Sequence, residues 1–451
     1  MFKNNPKYLL SVCSAIILGH AAMFIAGTRV INIDTHYQLI DKADLHERFW
    51  QCMVYMNGNP PGYSILILLV DLMSFDNRYV MLQILLPLMQ CLSFVLFFNA
   101  VQSRFQRDLR IPAAILFLNP VTYIYFNYPF YCTILFNISC LLLYVLFTER
   151  TNQNKVLWLV GIFASMCFIR SSWHLYFITG FSIWAFIHYK AKARTIVIAC
   201  MFLALPASVY VKNYILYGRF TSSTWLGINL SRTHLYPGCN APISKYVPFY
   251  NTRYYESYVD FSGPEVTKFK DIPVLNRNNF YNVRYMVISD SFMVAVKRCF
   301  NPAFSLKQVL IGGVPVFFQT PVMYGILYND YQVGTDKGKY PWYAIDFFDL
   351  PDIHYIGKSG KEFIISFSGY SIIYPLLLLL LLYNWRRLGF EMQLISIVIL
   401  LFTSLYSVTD PLESNRMRYE IEPLYYFAVF YMASWFIYGR KEKRDKKPLT
   451  A

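Results

Sequence analysis

The 451-residue chain is 56% hydrophobic and 19% aromatic, with only 15% charged residues and a mean hydropathy of +0.35. A soluble domain of this size has no use for so much apolar surface, so lipid must form part of its solvent. The formal net charge of +15 does not indicate nucleic acid: the Lys and Arg residues sit in short loops between apolar runs, not on one basic face of a hydrophilic fold.

A membrane-crossing helix needs about 20 apolar residues, with about 17 tolerated. The pattern predicts spans at 8–27, 79–101, 111–127, 129–147, 195–211, 364–383, 389–408 and 423–438, and a tight helical hairpin at 156–170 and 172–189, ten in all. The first run has no convincing small-residue cleavage site, so it reads as a first helix and not as a signal peptide. The fold class expected is an all-α polytopic membrane protein, with interfacial helices in the first outer loop and a large mixed extracytoplasmic segment. Three parts follow: residues 1–212, a transmembrane module whose first outer loop (28–78) carries candidate chemistry; 213–363, an extracytoplasmic segment; and 364–451, the last helices with a basic tail.

Six basic segments set the orientation. Lys3 and Lys7, then Arg104, Arg107 and Arg110, then Arg150 and Lys155, then Lys190, Lys192 and Arg194, then Arg386 and Arg387, and finally the tail from Arg440 to Lys447 hold 18 of the 41 basic residues. With ten spans all six fall on one side, which places both termini in the cytoplasm. Residues 61–75 are apolar but too short for an ordinary span, and a crossing there would reverse every later loop. They read as a helix lying at the outer interface or dipping into it, with Pro60 and Pro61 at its start, where a missing N–H is harmless. The apolar stretch 309–327 contains Gly312, Gly313, Pro315, Gln319, Thr320 and Pro321, which suit a re-entrant or surface-packed piece. Nine cysteines without short paired spacings indicate neither a zinc site nor a disulfide scaffold.

Asp34 follows the first span closely, so its carboxylate belongs near the lipid headgroups, where it can serve as general base toward a hydroxyl within hydrogen-bond reach. Thr35 and His36 can orient it. The same position suits a helix N-cap before Tyr37, Leu39, Ile40 and Ala43. Asp41, Asp44, His46 and Glu47 lie on neighbouring turns and read as a solvated face. Tyr63, Trp225 and the tyrosines at span ends suit an interfacial aromatic belt.

Several of these features recur together. Asp34 with Tyr37 three residues on, the run Asn59-Pro60-Pro61-Gly62-Tyr63 opening an apolar helix, and Lys212-Asn213-Tyr214 with Tyr217-Gly218-Arg219-Phe220 resemble the GT-C superfamily of membrane glycosyltransferases. Within it they are most similar to the bacterial protein-mannosyltransferase and aminoarabinose-transferase type. Arg170 before Ser171 and Ser172, and Glu413-Ser414-Asn415-Arg416-Met417-Arg418-Tyr419 with Pro423, stand where that family has comparable residues. The resemblance covers residues 1 to 235 in order and returns at 364–438.

The resemblance implies a bacterial plasma-membrane enzyme with a polyprenyl-phosphate-linked sugar donor and an extracytoplasmic active site. Asp34 would be the catalytic base, with His36, Tyr37 and Tyr63 beside the substrate. The acceptor would be a glycan, a lipid or a protein. Thr35 stands where many relatives have a second acidic residue, so no metal is assigned. The donor phosphate requires cations that make charge-assisted hydrogen bonds; Arg416 and Arg418 are the first candidates, then Arg170 and Lys212. A transporter or flippase of lipid-linked sugars is the main alternative, and it would place ionisable groups and broken helices at mid-membrane.

Overall fold

A computed structural model describes residues 6–25, 27, 29–30, 39–40, 42–74, 77–105, 108–236, 239, 283–318, 353–356, 362–365, 369–409 and 417–445. The helices are α1 (Pro6–Ile25), α2 (Lys42–Glu47), α3 (Phe49–Tyr55), α4 (Gly62–Met73), α5 (Arg78–Arg104), α6 (Arg110–Leu118), α7 (Pro120–Phe126), α8 (Tyr131–Phe147), α9 (Asn152–Ile169), α10 (Leu175–His188), α11 (Ala193–Tyr217) and α12 (Leu226–His234). After them come α13 (Val283–Arg298), α14 (Pro302–Gln308), a π-turn (Val309–Gly313), α15 (Val314–Phe318), α16 (Gly369–Tyr383), α17 (Phe390–Thr409) and α18 (Glu422–Asp445). One antiparallel hairpin, β1 (Ile353–Ile356) with β2 (Glu362–Ile365), interrupts the helices.

Among the described residues, α1, α5, α11 and α17 are each long and apolar enough to cross a membrane, and α7 with α8 forms a fifth such unit bent by 116°. The chain is thus a helical, membrane-embedded protein. Its outward surfaces are apolar, as on α1 and α11, where Ile25 is 84% exposed and Met201 70%. Exposed to water such side chains would cost free energy, whereas lipid hydrocarbon solvates them.

Most predicted spans appear as helices, with three differences. The helix expected at 364–383 begins only at Gly369, because residues 362–365 pair in the hairpin. The helix expected at 195–211 continues through Lys212 to Tyr217. The helix expected at 111–127 is broken at Asn119, which is extended (φ −62°, ψ 126°) because Pro120 disfavours the helical region for the residue before it. The break frees carbonyls inside the bundle, and side chains satisfy them: Gln90 Nε2 donates to Phe117 O at 2.8 Å, and Thr122 Oγ1 to Leu116 O at 3.2 Å. His20 lies 2.7 Å from Gln90 Oε1 and holds that amide in place.

Contacts assign the loops to the two ends of the bundle. Tyr8 donates to the Arg110 carbonyl at 2.6 Å, Phe105 and Phe147 both pack on Phe427, Gln153 reaches Lys190 O, and Tyr189 reaches Glu391. The basic loops between these helices therefore gather at one end, as their charge pattern predicts. At the opposite end, Asn57 bonds Thr224 at 3.0 Å and Thr233 bonds the Val408 carbonyl at 2.6 Å. Both ends of α4 lie there too: Tyr63 meets Pro129 in the α7–α8 turn, and Asp71 meets Arg78 at the start of α5. At 12 residues, α4 is shorter than an ordinary span.

The stretch from 302 to 318 packs into the same end. Phe317 and Phe318 are buried in the main core. Residues 319–327 lie outside the described residues. The cysteine reading requires a correction: Cys239 and Cys299 form a disulfide across 60 residues, which closes the loop after α12 onto the end of α13. Sequence spacing could not reveal it, because the pair is made by the packing of α12 on α13, with Gly227 N donating to Ser289 Oγ at 3.0 Å.

Candidate functional site

The run Asn59-Pro60-Pro61-Gly62-Tyr63 is built into the core. Gly62 lies against the end of α9, and Tyr63, 3% exposed, donates its hydroxyl hydrogen to the Pro129 carbonyl. Its ring packs edge-on against Phe130 and Tyr131, with centroids 5.5 and 6.1 Å away. Tyr63 therefore does not belong to an interfacial belt, because α4 folds inward over the α7–α8 turn and covers it.

Tyr131 leads directly to Arg170. The Arg170 guanidinium lies 4.0 Å from the Tyr131 ring centroid and 5.4 Å from that of Tyr406, and it forms a buried ion pair with Glu420. The Tyr406 hydroxyl is 3.0 Å from Glu420 Oε2 and 2.8 Å from Ser172 Oγ, and Ser139 donates to the Glu420 backbone carbonyl at 2.7 Å. One turn away a second pair forms: Arg418 Nε donates to Glu422 Oε2 at 2.9 Å. Arg418 Nη1 also donates to Phe317 O at 2.6 Å, while the Tyr374 hydroxyl donates to Glu422 Oε1 at 2.6 Å. Tyr419, between the pairs, stacks on Tyr125 at 3.9 Å and Phe136 at 4.7 Å.

Residues 417–422 thus thread through the bundle as a strap in which the charged Arg418, Glu420 and Glu422 alternate with the apolar Met417, Tyr419 and Ile421. Arg418, Glu420 and Glu422 are fully buried. A buried ion survives only when a partner and hydrogen bonds offset its desolvation, and here each guanidinium has its own carboxylate. Arg170 and Arg418 consequently hold the chain together across 250 and 4 residues. Sequence reasoning missed Glu420 and Glu422; the available signal was the i, i+4 spacing of Arg418 and Glu422 just before the last helix.

Lys212 plays a different part. Its ammonium group donates to the Met56 carbonyl and, at 3.4 Å, to that of Met53, at the C-terminal end of α3. A cation there complements the unsatisfied carbonyls of the helix end. No described carboxylate pairs with it. Together with Tyr217, which donates to the Tyr55 carbonyl, and Ser223, which donates to Gly58 O, Lys212 fastens residues 53–58 onto α11 and the turn after it.

Asp34, Thr35, His36, Tyr37, Asp41 and Arg416 lie outside the described residues. Of the acidic group expected on a solvated face, Asp44 is instead 3% exposed and pairs with Arg48 at 2.6 Å, because α2 folds back onto α3 and α4. His46 Nε2 stands 3.3 Å from Asp71 Oδ2. Burial by itself raises the Asp71 carboxyl pKa, but Arg78, bonded through Nε at 2.5 Å, and His46 together hold it below its ordinary value. Among the described residues no three His, Cys, Asp or Glu side chains come together to hold a metal ion.

The Gly62-Tyr63 turn, Arg170 and the 417–422 strap are therefore one connected assembly at the end of the bundle away from the basic loops. No protein-family model matches this sequence, and neither curated proteins nor solved structures give a match.

Proposed function

We propose that the chain is a membrane glycosyltransferase that moves a sugar from a polyprenyl-phosphate-linked donor to an extracytoplasmic glycan, lipid or protein acceptor, with Asp34 as general base. The observation that carries the reading is the convergence just described. Three sequence features that resemble the GT-C pattern, separated by more than 100 residues each, meet at one end of the bundle.

Ten spans with cytoplasmic termini, in a bacterial plasma membrane, complete the proposal. The Cys239–Cys299 disulfide supports it, because such bonds persist in oxidising compartments and it lies opposite the basic loops. Since Arg170 and Arg418 each have a carboxylate partner, the donor phosphate falls to Arg416, with Lys212 as the second cation. His36, Tyr37 and Tyr63 keep their roles as neighbours of the substrate, Tyr63 through the turn it supports.

A sugar hydroxyl is a weak nucleophile near neutral pH, and a carboxylate that accepts its proton in the transition state contributes about 100- to 10,000-fold in rate. Asp34→Asn should bind donor nearly normally and lose at least the lower factor in turnover of purified, reconstituted protein. Near-wild-type turnover in that variant, with loss in Asp41→Asn or Glu47→Gln, would move the base elsewhere. Transport or flipping of a lipid-linked sugar is the second reading, favoured by the α6–α7 break. It ranks behind because the carbonyls at that break already have side-chain donors. Scrambling of a labelled lipid-linked sugar by vesicles containing the protein, without transfer to any acceptor, would reverse the order.

A further inference from the structure

A groove of about 490 Å³ runs along the side of the bundle between α8, α9 and α11, lined by Ile138, Leu141, Trp158, Gly161, Ser165 and Phe202. Its one hydroxyl is already satisfied, Ser165 donating to Gly161 O at 2.8 Å, so the channel offers an apolar surface. Gly161 forms part of its floor: a Cβ there would meet only the Phe202 ring, at 3.8 Å. The neighbouring outward side chains Val197 and Met201 are 62% and 70% exposed, which marks this flank as facing lipid.

At its basic end the groove meets a cation. The Arg150 guanidinium lies 5.3 Å from the ring centroids of both Trp158 and Tyr144, which bracket it, and its buried Nε has no hydrogen-bond partner among the described residues. Gln153 clasps the two adjoining loops, donating to Lys190 O at 3.3 Å and accepting from Lys192 N at 2.8 Å. Residues 148–155 and 190–194 thereby gather Arg150, Lys155, Lys190, Lys192 and Arg194 against one acid, Glu149. The other carboxylate joined to these loops, Glu391, accepts from the Tyr189 hydroxyl at 3.2 Å.

We propose that this groove seats one anionic phospholipid, with its phosphate on Arg150 and one acyl chain along Trp158, Gly161 and Phe202. An apolar channel that opens sideways into hydrocarbon takes a chain, and a basic pocket between helices at the cationic face takes an acidic headgroup. The excess of five cations over two carboxylates, Glu149 and Glu391, favours a net-negative lipid over a zwitterionic one, whose own cation it would repel. A phosphate ion free in solution would leave the apolar channel unfilled.

The test uses the full-length protein in neutral detergent and native mass spectrometry with phosphatidylglycerol or phosphatidylcholine. Wild-type protein should retain one phosphatidylglycerol at about fivefold or more over phosphatidylcholine, the scale of one added basic contact. This comparison depends on no variant folding. Arg150→Gln should remove the preference, Gly161→Leu should fill the channel and lower retention without altering charge, and Arg387→Gln, at the same end but away from the groove, should change neither. Equal retention of the two lipids by wild type, or unchanged phosphatidylglycerol retention in Arg150→Gln, would overturn the proposal.

Discussion

Gly62 and the Phe168 carbonyl are in backbone contact: a Cβ at position 62 would fall 2.5 Å from that oxygen. Only glycine lets α4 approach the end of α9 so closely, and that approach carries Tyr63 to Tyr131 and hence to Arg170. Gly62→Ala must push α4 outward, and overpacking of this kind costs about 1–3 kcal/mol. Thermal denaturation in detergent should show the loss. Gly180→Ala, where nothing lies within 4 Å, should be neutral or slightly stabilising.

Arg170 and Glu420 give a second prediction. Arg170→Met leaves Glu420 buried without a counter-charge, which costs about 3–5 kcal/mol. Glu420→Leu in the same chain should restore most of that, because two apolar groups need no partner. A double-mutant cycle on thermal stability measures the coupling. If Arg170 instead binds donor phosphate, the double variant will regain stability while its donor KM stays raised.

Asp71 predicts a pH dependence. Its carboxyl is held below the ordinary value of 3.8 by Arg78 and His46, so the ionised form is favoured in the folded state. The resulting stabilisation is complete above that ordinary value and declines as pH falls through the lower folded value. Asp71→Asn should therefore be less stable than wild type near neutral pH, and the gap should narrow in the acid range just below 3.8. A gap that stayed constant across that range would mean that packing, not charge, is what Asp71 supplies.

The disulfide yields a prediction about sidedness. In protein alkylated before lysis, Cys239 and Cys299 should react with a maleimide only after reduction. Free thiols at 239 and 299 in protein from intact cells would place this segment in a reducing compartment and remove that support for an outer site. Separately, Arg416→Ala should weaken use of the polyprenyl-phosphate donor while insertion is unchanged, read as a raised donor KM in the purified variant.

The membrane character of the chain, the position of most helices and the gathering of the basic loops at one end were legible from sequence, because each depends on local apolar length and on charge next to it. Arg170 was legible as a residue of interest but not in its role. Its partner, Glu420, is 250 residues away, and nothing local announces which carboxylate a buried guanidinium will meet. Asp44 was misread for a related reason: helical spacing assigns a face, but only the fold of α2 onto α3 and α4 decides whether that face meets water.

Composition and hydropathy by themselves determined that this chain lives in lipid, since burying so much apolar surface needs a solvent that is apolar too. They also determined that the apolar run at 61–75 is too short for an ordinary span. Tertiary structure alone decided which polar groups were satisfied inside: Gln90 on the carbonyl freed at Asn119, Lys212 on the end of α3, and two carboxylates on two arginines. The reason is physical. Burial in lipid is an average over many side chains and can be read along the chain, whereas each buried charge or open carbonyl must find one partner in space, and that partner comes from wherever the fold brings it.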